Sequence, residues 1–271
     1  MIKQAIIPLA GDGTRLLPLT SVFPKELLPI NGRPGLEYIL DECIDAGIKE
    51  IILVISKRKP AVKKYFNNDS FFKKIIKKKK NNIKIINEYS KIKKYKKIIK
   101  FVYQNSPRGT GDALLKSKKF IKSNHFLMLL ADDLIFNDNC SKEMIKLHKR
   151  YKTSVIASKQ VNYKDVSRWG IFKCSKFKSK SFNIDDVIEK PSINKAPSNL
   201  AVIGRYILPI EIFEILKKQK PGKNGEIHIT DAIRNLINKK YRFMGHKFSG
   251  KYLDCGTLKG YINSSIEISK L

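Results

Sequence analysis

The sequence predicts an α/β fold in a single domain, with a mixed, mainly parallel sheet and helices on both of its faces. Short apolar runs alternate with helical patterns along most of the chain, which is typical of parallel strands joined by helices. The runs are apolar at nearly every residue, so each strand would be buried on both faces. Neither an internal repeat nor a linker interrupts residues 1–271, and we therefore expect one domain.

The elements follow in order from these patterns. The first strand is predicted at 2–9, Pro34 opens a helix that Gly47 ends, and Glu50–Ile55 is the next buried strand. Later strands are predicted at 100–103, 126–130, 154–158, 171–174, Asp186–Glu189 and 200–207. Later helices are predicted at 111–120, 141–151 and 259–269, after Pro209, and after Thr230 as an N-cap.

One segment, at about 67–100, departs from this alternation. Lys, Asn and Ile dominate it, and paired apolar residues such as Phe71-Phe72 and Ile75-Ile76 predict a peripheral, amphipathic helical excursion. The net charge of +31 would by itself suggest nucleic acid or an anionic membrane as a partner. Lys, Ile and Asn share A/T-rich codons, however, and no nucleic-acid-binding signature accompanies the charge. We interpret the segment as a solvated basic face, expect no nucleic-acid partner, and keep a polyanion-binding surface as the alternative.

Compartment and metal class can also be predicted. No apolar run reaches the roughly 18 residues of a membrane span, and the chain starts on a strand-like segment rather than a signal peptide. A cytoplasmic protein without a membrane partner is therefore expected. The four cysteines are far apart and form no Cys-x-x-Cys pair, which argues against a zinc site or a disulfide framework.

A glycine turn follows the first strand and ends in Arg15, with Lys25 ten residues further on. It has neither the Lys-Ser/Thr ending of a P-loop nor the third glycine of a dinucleotide fingerprint. Glycines let the backbone approach a phosphate, and Arg and Lys supply cations for its oxygens. The turn therefore predicts a phosphate site; the alternative is a strand-to-helix turn with two surface cations.

Acidic side chains follow other apolar runs. Asp132 and Asp133 come directly after the strand at 126–130, and Asp254 ends a later apolar stretch. Carboxylates are the ligands that Mg²⁺ prefers, so they predict a magnesium site if Asp132 and Asp254 meet; the alternative is a polar loop. Glu189 and Lys190 follow another strand, where they could bind a sugar and its phosphate or form an exposed ion pair.

In this order, the motifs make the chain resemble the sugar-nucleotide pyrophosphorylases, with the Pro24-Lys25-Glu26 triplet as a superfamily mark. Residues 189–213 (EKPSINKAPSNLAVIGRYILPIEIF) and 225–233 (GEIHITDAI) resemble the bacterial UTP–glucose-1-phosphate uridylyltransferases, also called UDP-glucose pyrophosphorylases. The related thymidylyltransferases lack the Ala-Pro-Ser-Asn-Leu-Ala run. The resemblance covers residues 2–268.

The resemblance implies a Rossmann-like nucleotidyltransferase fold and a Mg²⁺-dependent reaction of UTP with glucose 1-phosphate. The sugar phosphate would attack the α-phosphorus of UTP in line, giving UDP-glucose and pyrophosphate. It also implies a homo-oligomer. Two alternatives stay open: a thymidylyltransferase or an enzyme that uses both nucleotides, and a non-catalytic, regulatory paralogue.

The resemblance also assigns roles to individual residues. The catalytic cations would be Arg15, Lys25 and Lys190, and Mg²⁺ would be held by Asp132 and Asp254. The nucleotide would be bound by Ala10, Gly11, Gly13, Glu26, Gln104, Gly109 and Gly111. The sugar would be bound by Gly170, Glu189 and Lys190.

Four departures from the family pattern stand out. Asp12 places a negative charge in the phosphate turn. Residues 108–113 read RGTGDA where Lys-Gly-Leu-Gly-His-Ala is usual, so Thr110 and Asp112 alter the base pocket. Trp169 replaces a Tyr, and Leu258-Lys259 reverses the usual Lys-Leu order. The last departure puts one phosphate or sugar contact in doubt.

Overall fold

The computed structural model describes residues 2–79, 82–174, 180–222 and 225–270. In these ranges the strands are β1 (Gln4–Pro8), β2 (Pro29–Ile30), β3 (Arg33–Pro34), β4 (Glu50–Ile55), β5 (Ile99–Tyr103), β6 (His125–Leu129), β7 (Asp133–Phe136), β8 (Ser154–Gln160), β9 (Gly170–Lys173), β10 (Ser181–Asn183), β11 (Asp186–Glu189), β12 (Leu200–Pro209), β13 (Phe243–Lys247) and β14 (Lys251–Asp254). The helices are α1 (Gly35–Asp45), α2 (Pro60–Asn67), α3 (Asp69–Lys78), α4 (Ile83–Ile98), α5 (Thr110–Ser117), α6 (Cys140–Tyr151), α7 (Ile212–Lys218), α8 (Ile229–Asn238) and α9 (Leu258–Ser269). None of these helices is both long and apolar enough to span a membrane.

Ten of the described strands form one sheet, in the order β10-β13-β8-β12-β6-β1-β4-β5, with β9 beside β12 and β11 beside β9. β5, β4, β1 and β6 are parallel to one another, as are β8 and β13. β12 runs antiparallel to β6 and β8, so the two parallel groups point the same way on either side of it. This arrangement confirms the predicted mixed, mainly parallel sheet.

The sheet separates two apolar layers, because successive side chains of a strand point to opposite faces. In β1, Ala5 and Ile7 pack against the layer that includes α1, α2, α4, α6 and α9, whereas Ile6 packs against the layer that includes α5, α7 and α8. The strand is nevertheless apolar throughout, since both faces are covered. This explains why the continuous apolar runs predicted the strands correctly.

The sequence patterns placed several boundaries wrongly and missed short strands. Pro209 ends β12 instead of opening a helix, and α7 starts at Ile212. Thr230 lies inside the first turn of α8, whose N-cap is His228. The strands that sequence analysis missed are β2, β3, β7, β10, β13 and β14. β7, β10, β13 and β14 pair with strands distant in the chain, and β2 and β3 have only two residues each, so local periodicity carries little information about any of them.

The segment at 67–100 is helical, as its pattern indicates. α3 has no buried residue, whereas Ile92 and Tyr95 of α4 are buried against the core. Phe72 of α3 stacks on Tyr89 of α4 with 5.1 Å between ring centroids, which joins the two helices. Residues 80–81, which the predicted excursion includes, lie outside the described residues.

Candidate active site

A cleft of about 820 Å³ opens beyond the carboxyl ends of β1 and β6. Ligands of open α/β sheets bind at this end of the strands. Its lining includes Ala10, Gly11, Arg15, Lys25, Glu26, Gln104, Gly109, Asp132, Gly170, Glu189, Lys190 and Asp254. The fold thus brings twelve of the fourteen predicted site residues to one cavity.

The other two predicted residues, Gly13 and Gly111, do not line the cleft. Gly13 has a φ of 70°, which favours glycine, and it leads into a short 3₁₀ turn at Thr14–Leu16. Gly111 donates its N–H to the carbonyl of Ile227 at 2.8 Å, and an added Cβ would lie 2.7 Å from the Ile227 Cγ2. Both glycines shape the loops around the cleft.

Lys25 and Arg15 form the cationic wall of the cleft with Asp132. Lys25 Nζ lies 2.6 Å from Asp132 Oδ2, and Arg15 Nη2 lies 3.6 Å from the same oxygen. Burial disfavours the charged forms of Lys25 and Asp132, but their attraction outweighs it, raising the pKa of Lys25 and lowering that of Asp132. Both groups therefore stay charged at neutral pH.

Asp254 reaches the same wall through a second, two-stranded sheet. β14 pairs antiparallel with β7, which places Asp254 opposite Asp133, and Cys255 donates its N–H to the Asp132 carbonyl at 2.7 Å. A Cβ added to Gly256 would lie 2.8 Å from Asp132 Oδ2 and 3.2 Å from Asp254 Oδ1. The carboxylates of Asp132 and Asp254 therefore face one small space that only a glycine leaves open.

Asp133, which also lines the cleft, has a different environment from Asp132. Tyr252 donates its hydroxyl to Asp133 Oδ1 at 2.6 Å, and the Gly204 N–H donates to Oδ2 at 2.9 Å. Burial and the negative charge of Asp132 raise the pKa of Asp133 to about 6. The two aspartates are adjacent in sequence, but of the two only Asp132 forms an ion pair with a cation among the described residues.

Behind this wall, Arg205 is fully buried in β12. It forms a bidentate ion pair with Glu42 of α1, with Arg205 Nη2 2.8 Å from Glu42 Oε2. The same guanidinium donates to the carbonyls of Leu130 at 3.3 Å and Asp133 at 2.7 Å. Arg205 therefore fixes the backbone on both sides of Asp132 without entering the cleft.

Glu26, predicted to lie near the base, is tied to Lys59. The Lys59 ammonium contacts both carboxylate oxygens at 3.0 and 3.1 Å and also donates to the Leu9 carbonyl at 3.0 Å. Burial lowers the pKa of Lys59, and the Glu26 carboxylate opposes this shift. The pair joins the end of β1 to the turn that carries Lys25.

A second part of the cleft lining contains Glu189 and Lys190, at the end of β11. Glu189 pairs with Gly170 of β9, where an added Cβ would lie 3.3 Å from Glu189 Oε2 and 3.1 Å from Val202 Cγ2. Lys190 has a φ of 43° and donates its N–H to the Trp169 carbonyl at 3.0 Å. Its ammonium lies 3.7 Å from Glu189 Oε1 and is otherwise directed to open space in the described structure.

Gln104 and Gly109 form the third part of the cleft, at the start of α5. Gln104 follows β5 and is almost fully buried. Its Nε2 donates to Asp112 Oδ2 at 2.7 Å and to the Gly109 carbonyl at 3.2 Å. Asp112, a departure from the family pattern, is therefore a direct neighbour of a predicted base-contacting residue.

The remaining departures occupy different environments. Asp12 forms an ion pair with Arg58, with 2.9 Å between Oδ1 and Nη2, so its charge has a partner. Trp169 lies under the Arg168 guanidinium, whose Cζ is 4.5 Å from the ring centroid. Leu258 starts α9 and does not line the cleft, and neither does Lys259. The reversed order therefore leaves no lysine at this position of the cleft wall.

Sequence reasoning missed several residues that build the site. Arg168 lies 3.0 Å from Asp254 Oδ2, and Tyr252 binds Asp133. Arg205 had a usable signal, since it is the single charged residue of a strand in which all ten residues are buried. Arg168 and Tyr252 had none, because their partners are more than 80 residues away in sequence.

The chain matches the family model for nucleotidyl transferases over residues 4–270. A UTP–glucose-1-phosphate uridylyltransferase of Streptococcus pyogenes is 36% identical over 98% of this chain and 88% of its own. The structure of a UDP-glucose pyrophosphorylase complexed with UDP-glucose superposes with a TM-score of 0.87 at 36% identity, over 100% and 99% of the two chains. A UTP-bound enzyme of this type from Acinetobacter baumannii gives a TM-score of 0.87 at 30% identity, over 99% and 93%.

These similarities extend over the whole cleft and both layers of the fold, so they are not confined to one motif. The identities exceed the level at which only the fold is shared, whereas a glucose-1-phosphate thymidylyltransferase from Bacillus anthracis is 21% identical and shares the fold alone. The chain belongs to the nucleotidyl transferase family, and within it to the UTP–glucose-1-phosphate uridylyltransferases.

Proposed function

We propose that the cleft catalyses the reaction of UTP with glucose 1-phosphate to UDP-glucose and pyrophosphate. The observation that carries this proposal is the presence of two separate cationic groups in the lining of one cleft. Lys25 and Arg15 lie beside Asp132, and Lys190 lies beside Glu189. Two phosphate-bearing substrates can therefore be held in one cavity.

The chemistry needs little from the protein beyond position and charge. A phosphate oxygen of glucose 1-phosphate forms a bond to the α-phosphorus of UTP, and the bond from that phosphorus to the β-phosphate bridge oxygen breaks. The electron pair leaves with pyrophosphate, and no proton has to be removed from the anionic nucleophile. The predicted site residues include no histidine base, and none is required, because phosphoryl-type transfer depends mainly on positioning and electrostatic stabilisation; His228 lines the cleft but has no role in this step.

On the nucleotide wall, the backbone at Ala10 and Gly11 would approach the phosphates, with Gly13 setting the turn. Arg15 and Lys25 would bind the phosphate oxygens. Lys25 is already charged and buried against Asp132, so a phosphate arriving there replaces one anionic partner by another. The ammonium is therefore already desolvated in the free protein, where Asp132 stabilises it, and its charge is in position before the substrate binds.

Asp132 and Asp254 are the proposed Mg²⁺ ligands. In the described part of the chain no cluster of three acidic, histidine or cysteine side chains is arranged to hold a metal alone. Two converging carboxylates nevertheless fit Mg²⁺, which usually takes one or two protein carboxylates and completes its shell with water and substrate phosphates. When bound, the ion would neutralise charge on the phosphates and orient them.

On the sugar wall, Glu189 would accept hydrogen bonds from glucose hydroxyls and Lys190 would bind the phosphate. Gly170 keeps the space in front of Glu189 free, because any side chain there would contact the carboxylate and Val202. Near the base, Gln104 and Gly109 would face the nucleotide, with Gly111 and Glu26 supporting the surrounding loops.

The test is pyrophosphate release by the purified protein with UTP, glucose 1-phosphate and Mg²⁺. We expect release to require all three, and Lys190→Ala to slow it by about 100-fold, as the loss of a transition-state charge contact does. Lys195→Ala is a matched control, since Lys195 is exposed and does not line the cleft. No release by folded protein, with either UTP or dTTP, would contradict the proposal and favour a regulatory paralogue. Release with dTTP but not UTP would favour the thymidylyltransferase alternative.

Two further proposals concern assembly and compartment. Leu258, Ile262 and Ile266 recur every fourth residue on α9 and are 44–48% exposed, which supports self-association of the chain. Light scattering behind a sizing column tests this, and a monomer at all concentrations would contradict it.

A cytoplasmic location is supported by the free thiols of the buried Cys43, Cys140 and Cys255. Cell fractionation tests the location.

A further inference from the structure

The Gln104 side chain has both of its donor positions occupied. Nε2 donates to Asp112 Oδ2 at 2.7 Å and to the Gly109 carbonyl oxygen at 3.2 Å. An amide nitrogen carries two N–H groups, so these bonds use both of them. In the described structure no donor is paired with the Gln104 carbonyl oxygen, and Gln104 lines the cleft.

Asp112 favours this orientation of the Gln104 amide over the flipped one. A carboxylate can only accept hydrogen bonds, and so can a backbone carbonyl. Rotating the amide by half a turn would bring its oxygen against two acceptors, in a site where Gln104 is 3% and Asp112 is 8% exposed. Buried polar groups that lose their partners are costly, so the amide stays in one orientation. The group left for a ligand in the cleft is the carbonyl oxygen of Gln104.

Asp112 is held in place independently of Gln104. It lies in the first turn of α5, where a negative charge is favourable; the Lys116 ammonium, 3.8 Å from its Oδ1, is half-exposed and adds little to this placement. Its other oxygen, Oδ2, is the one that contacts the amide. The aspartate can only accept, so it imposes a polarity on the amide that a side chain able to donate as well as accept would not impose.

We propose that Asp112 is a positioning residue that sets the nucleobase preference of the cleft through the amide of Gln104. The carbonyl oxygen of Gln104 accepts a hydrogen bond from a base whose ring nitrogen carries a proton at N3. Uracil and thymine have this N–H, whereas the N3 of cytosine is an acceptor and meets the Gln104 oxygen with repulsion. The inference rests on the proposed function only in that a nucleotide occupies this cleft.

The experiment measures dissociation constants of UTP, dTTP and CTP by calorimetry, in the full chain with Mg²⁺ and without the sugar phosphate. Asp112→Asn is the test variant, because its side chain has the same shape but can either donate or accept. We expect the preference for UTP over CTP to fall by between about threefold and about tenfold, the range of one hydrogen bond. The ratio of UTP to dTTP should not change, since both bases present the same N3–H.

Two controls separate this role from a merely structural one. Lys116→Met removes the neighbouring charge without touching the amide, and it should leave the UTP/CTP ratio unchanged. Gln104→Leu should itself lower the ratio, and adding Asp112→Asn to it should lower the ratio no further, because Asp112 acts through Gln104. Asp112→Ser replaces Asp112→Asn if the latter does not fold, since a hydroxyl also donates or accepts.

Each outcome decides the proposal. The proposal is overturned if the UTP/CTP ratio is unchanged in Asp112→Asn, or if this variant weakens the binding of all three nucleotides equally. It is also overturned if adding Asp112→Asn to Gln104→Leu lowers the UTP/CTP ratio further, or if Lys116→Met lowers that ratio. In all these cases the wild-type protein still binds UTP, so the proposed function stands. Failure of the wild-type protein to bind any of the three nucleotides would overturn the proposed function and this inference together.

Discussion

Two ion pairs flank the backbone at 130–133, one on the cleft side and one on the core side. On the cleft side, Lys25 and Asp132 are each 18% exposed and lie 2.6 Å apart. On the core side, Arg205 and Glu42 are 0% and 8% exposed, with 2.8 Å between their nearest atoms. The two pairs resemble each other in distance and differ in what else surrounds their charges.

The difference separates a pair that can exchange partners from one that cannot. Arg205 is enclosed by Glu42 and by the carbonyls of Leu130, Asp133 and Gly204, all of them parts of the protein. Lys25 faces the cleft, where a phosphate could take the place of Asp132. The core pair thus positions the segment, and the cleft pair keeps charge ready for a ligand.

The largest expected effect is the loss of Arg205. Arg205→Met leaves Glu42 buried without its cation, and breaking a buried pair by removing one partner costs about 3–5 kcal/mol of unfolding free energy. Chemical denaturation measures this loss. Turnover per folded molecule should also fall, because the carbonyls that Arg205 holds flank Asp132.

The double variant Arg205→Met with Glu42→Leu is the control. Removing both charges also removes the uncompensated carboxylate, so the double variant should be more stable than Arg205→Met alone. If the double variant is the less stable of the two, the cost lies in lost packing and the core pair is not the positioning device that we describe.

Replacement of Lys25 should act mainly on turnover. Lys25→Met removes a cation that would stabilise charge on the phosphates, and such losses lower kcat by about 10²–10³-fold. Its effect on the unfolding free energy should be smaller than that of Arg205→Met, because Arg15 remains near Asp132 and the cleft admits water. Steady-state kinetics and denaturation measure the two effects, with the exposed Lys57→Met as the matched control. A larger loss of stability than of activity would mean that the cleft pair is structural too.

The same division shows how far the sequence could be interpreted. The residues of the cleft wall were found because a family motif or the end of an apolar run marks them, as for Arg15, Lys25 and Asp132. The fold class followed from continuous apolar strands such as β1 and β4, whose two covered faces leave a strong local signal. Continuous apolar runs therefore predicted the architecture, whereas most of the candidate-site residues were named from the family resemblance, and their roles stay predictions.

What supports these residues was not predictable in the same way. Glu42 lies 163 residues from Arg205, and Tyr252 lies 119 residues from Asp133. These contacts depend on how β7, β12 and β14 come together, and short strands such as β7 and β14 carry little periodicity. The polarity of the Gln104 amide also depends on a contact with Asp112 that is visible only in three dimensions.

A half-buried histidine packed against a second histidine should behave unlike either pair. His125 begins β6, and its ring centroid lies 4.5 Å from that of His148. Burial, followed by the charge of His148, lowers the pKa of His125, and Glu211 only partly opposes this. The unfolded chain then binds the proton more tightly than the folded protein, so stability is complete above the unfolded pKa of about 6.5 and falls as the pH drops below it.

His125→Asn should therefore reduce the loss of melting temperature between about pH 7.5 and about pH 5.5. Thermal melts at the two pH values measure it, with the exposed Lys152→Gln as a control that should follow the wild-type protein. An unchanged pH dependence in His125→Asn would mean that other groups dominate the acid side of the stability curve. The effect should be smaller than that of Arg205→Met, since one histidine is only partly buried.

The smallest expected effect concerns Asp12 and Arg58, an ion pair at the open rim of the cleft. Their side chains are 41% and 59% exposed, and such pairs contribute only about 0–1 kcal/mol to stability. Asp12→Leu should therefore change the folding equilibrium constant by no more than about twofold, and the KM for UTP by no more than about twofold. Arg58→Met should raise the KM for UTP slightly, because it leaves the Asp12 carboxylate unpaired beside the phosphate turn.

The double variant Asp12→Leu with Arg58→Met is the control, and its KM for UTP should return to the wild-type value. The rise in KM in Arg58→Met should also shrink with added salt, since exposed charges are screened within about 10 Å at 0.1 M salt. A KM for UTP that falls strongly in Asp12→Leu would contradict this account. It would mean that Arg58 does not neutralise the Asp12 carboxylate and that this carboxylate weakens UTP binding in the wild-type protein.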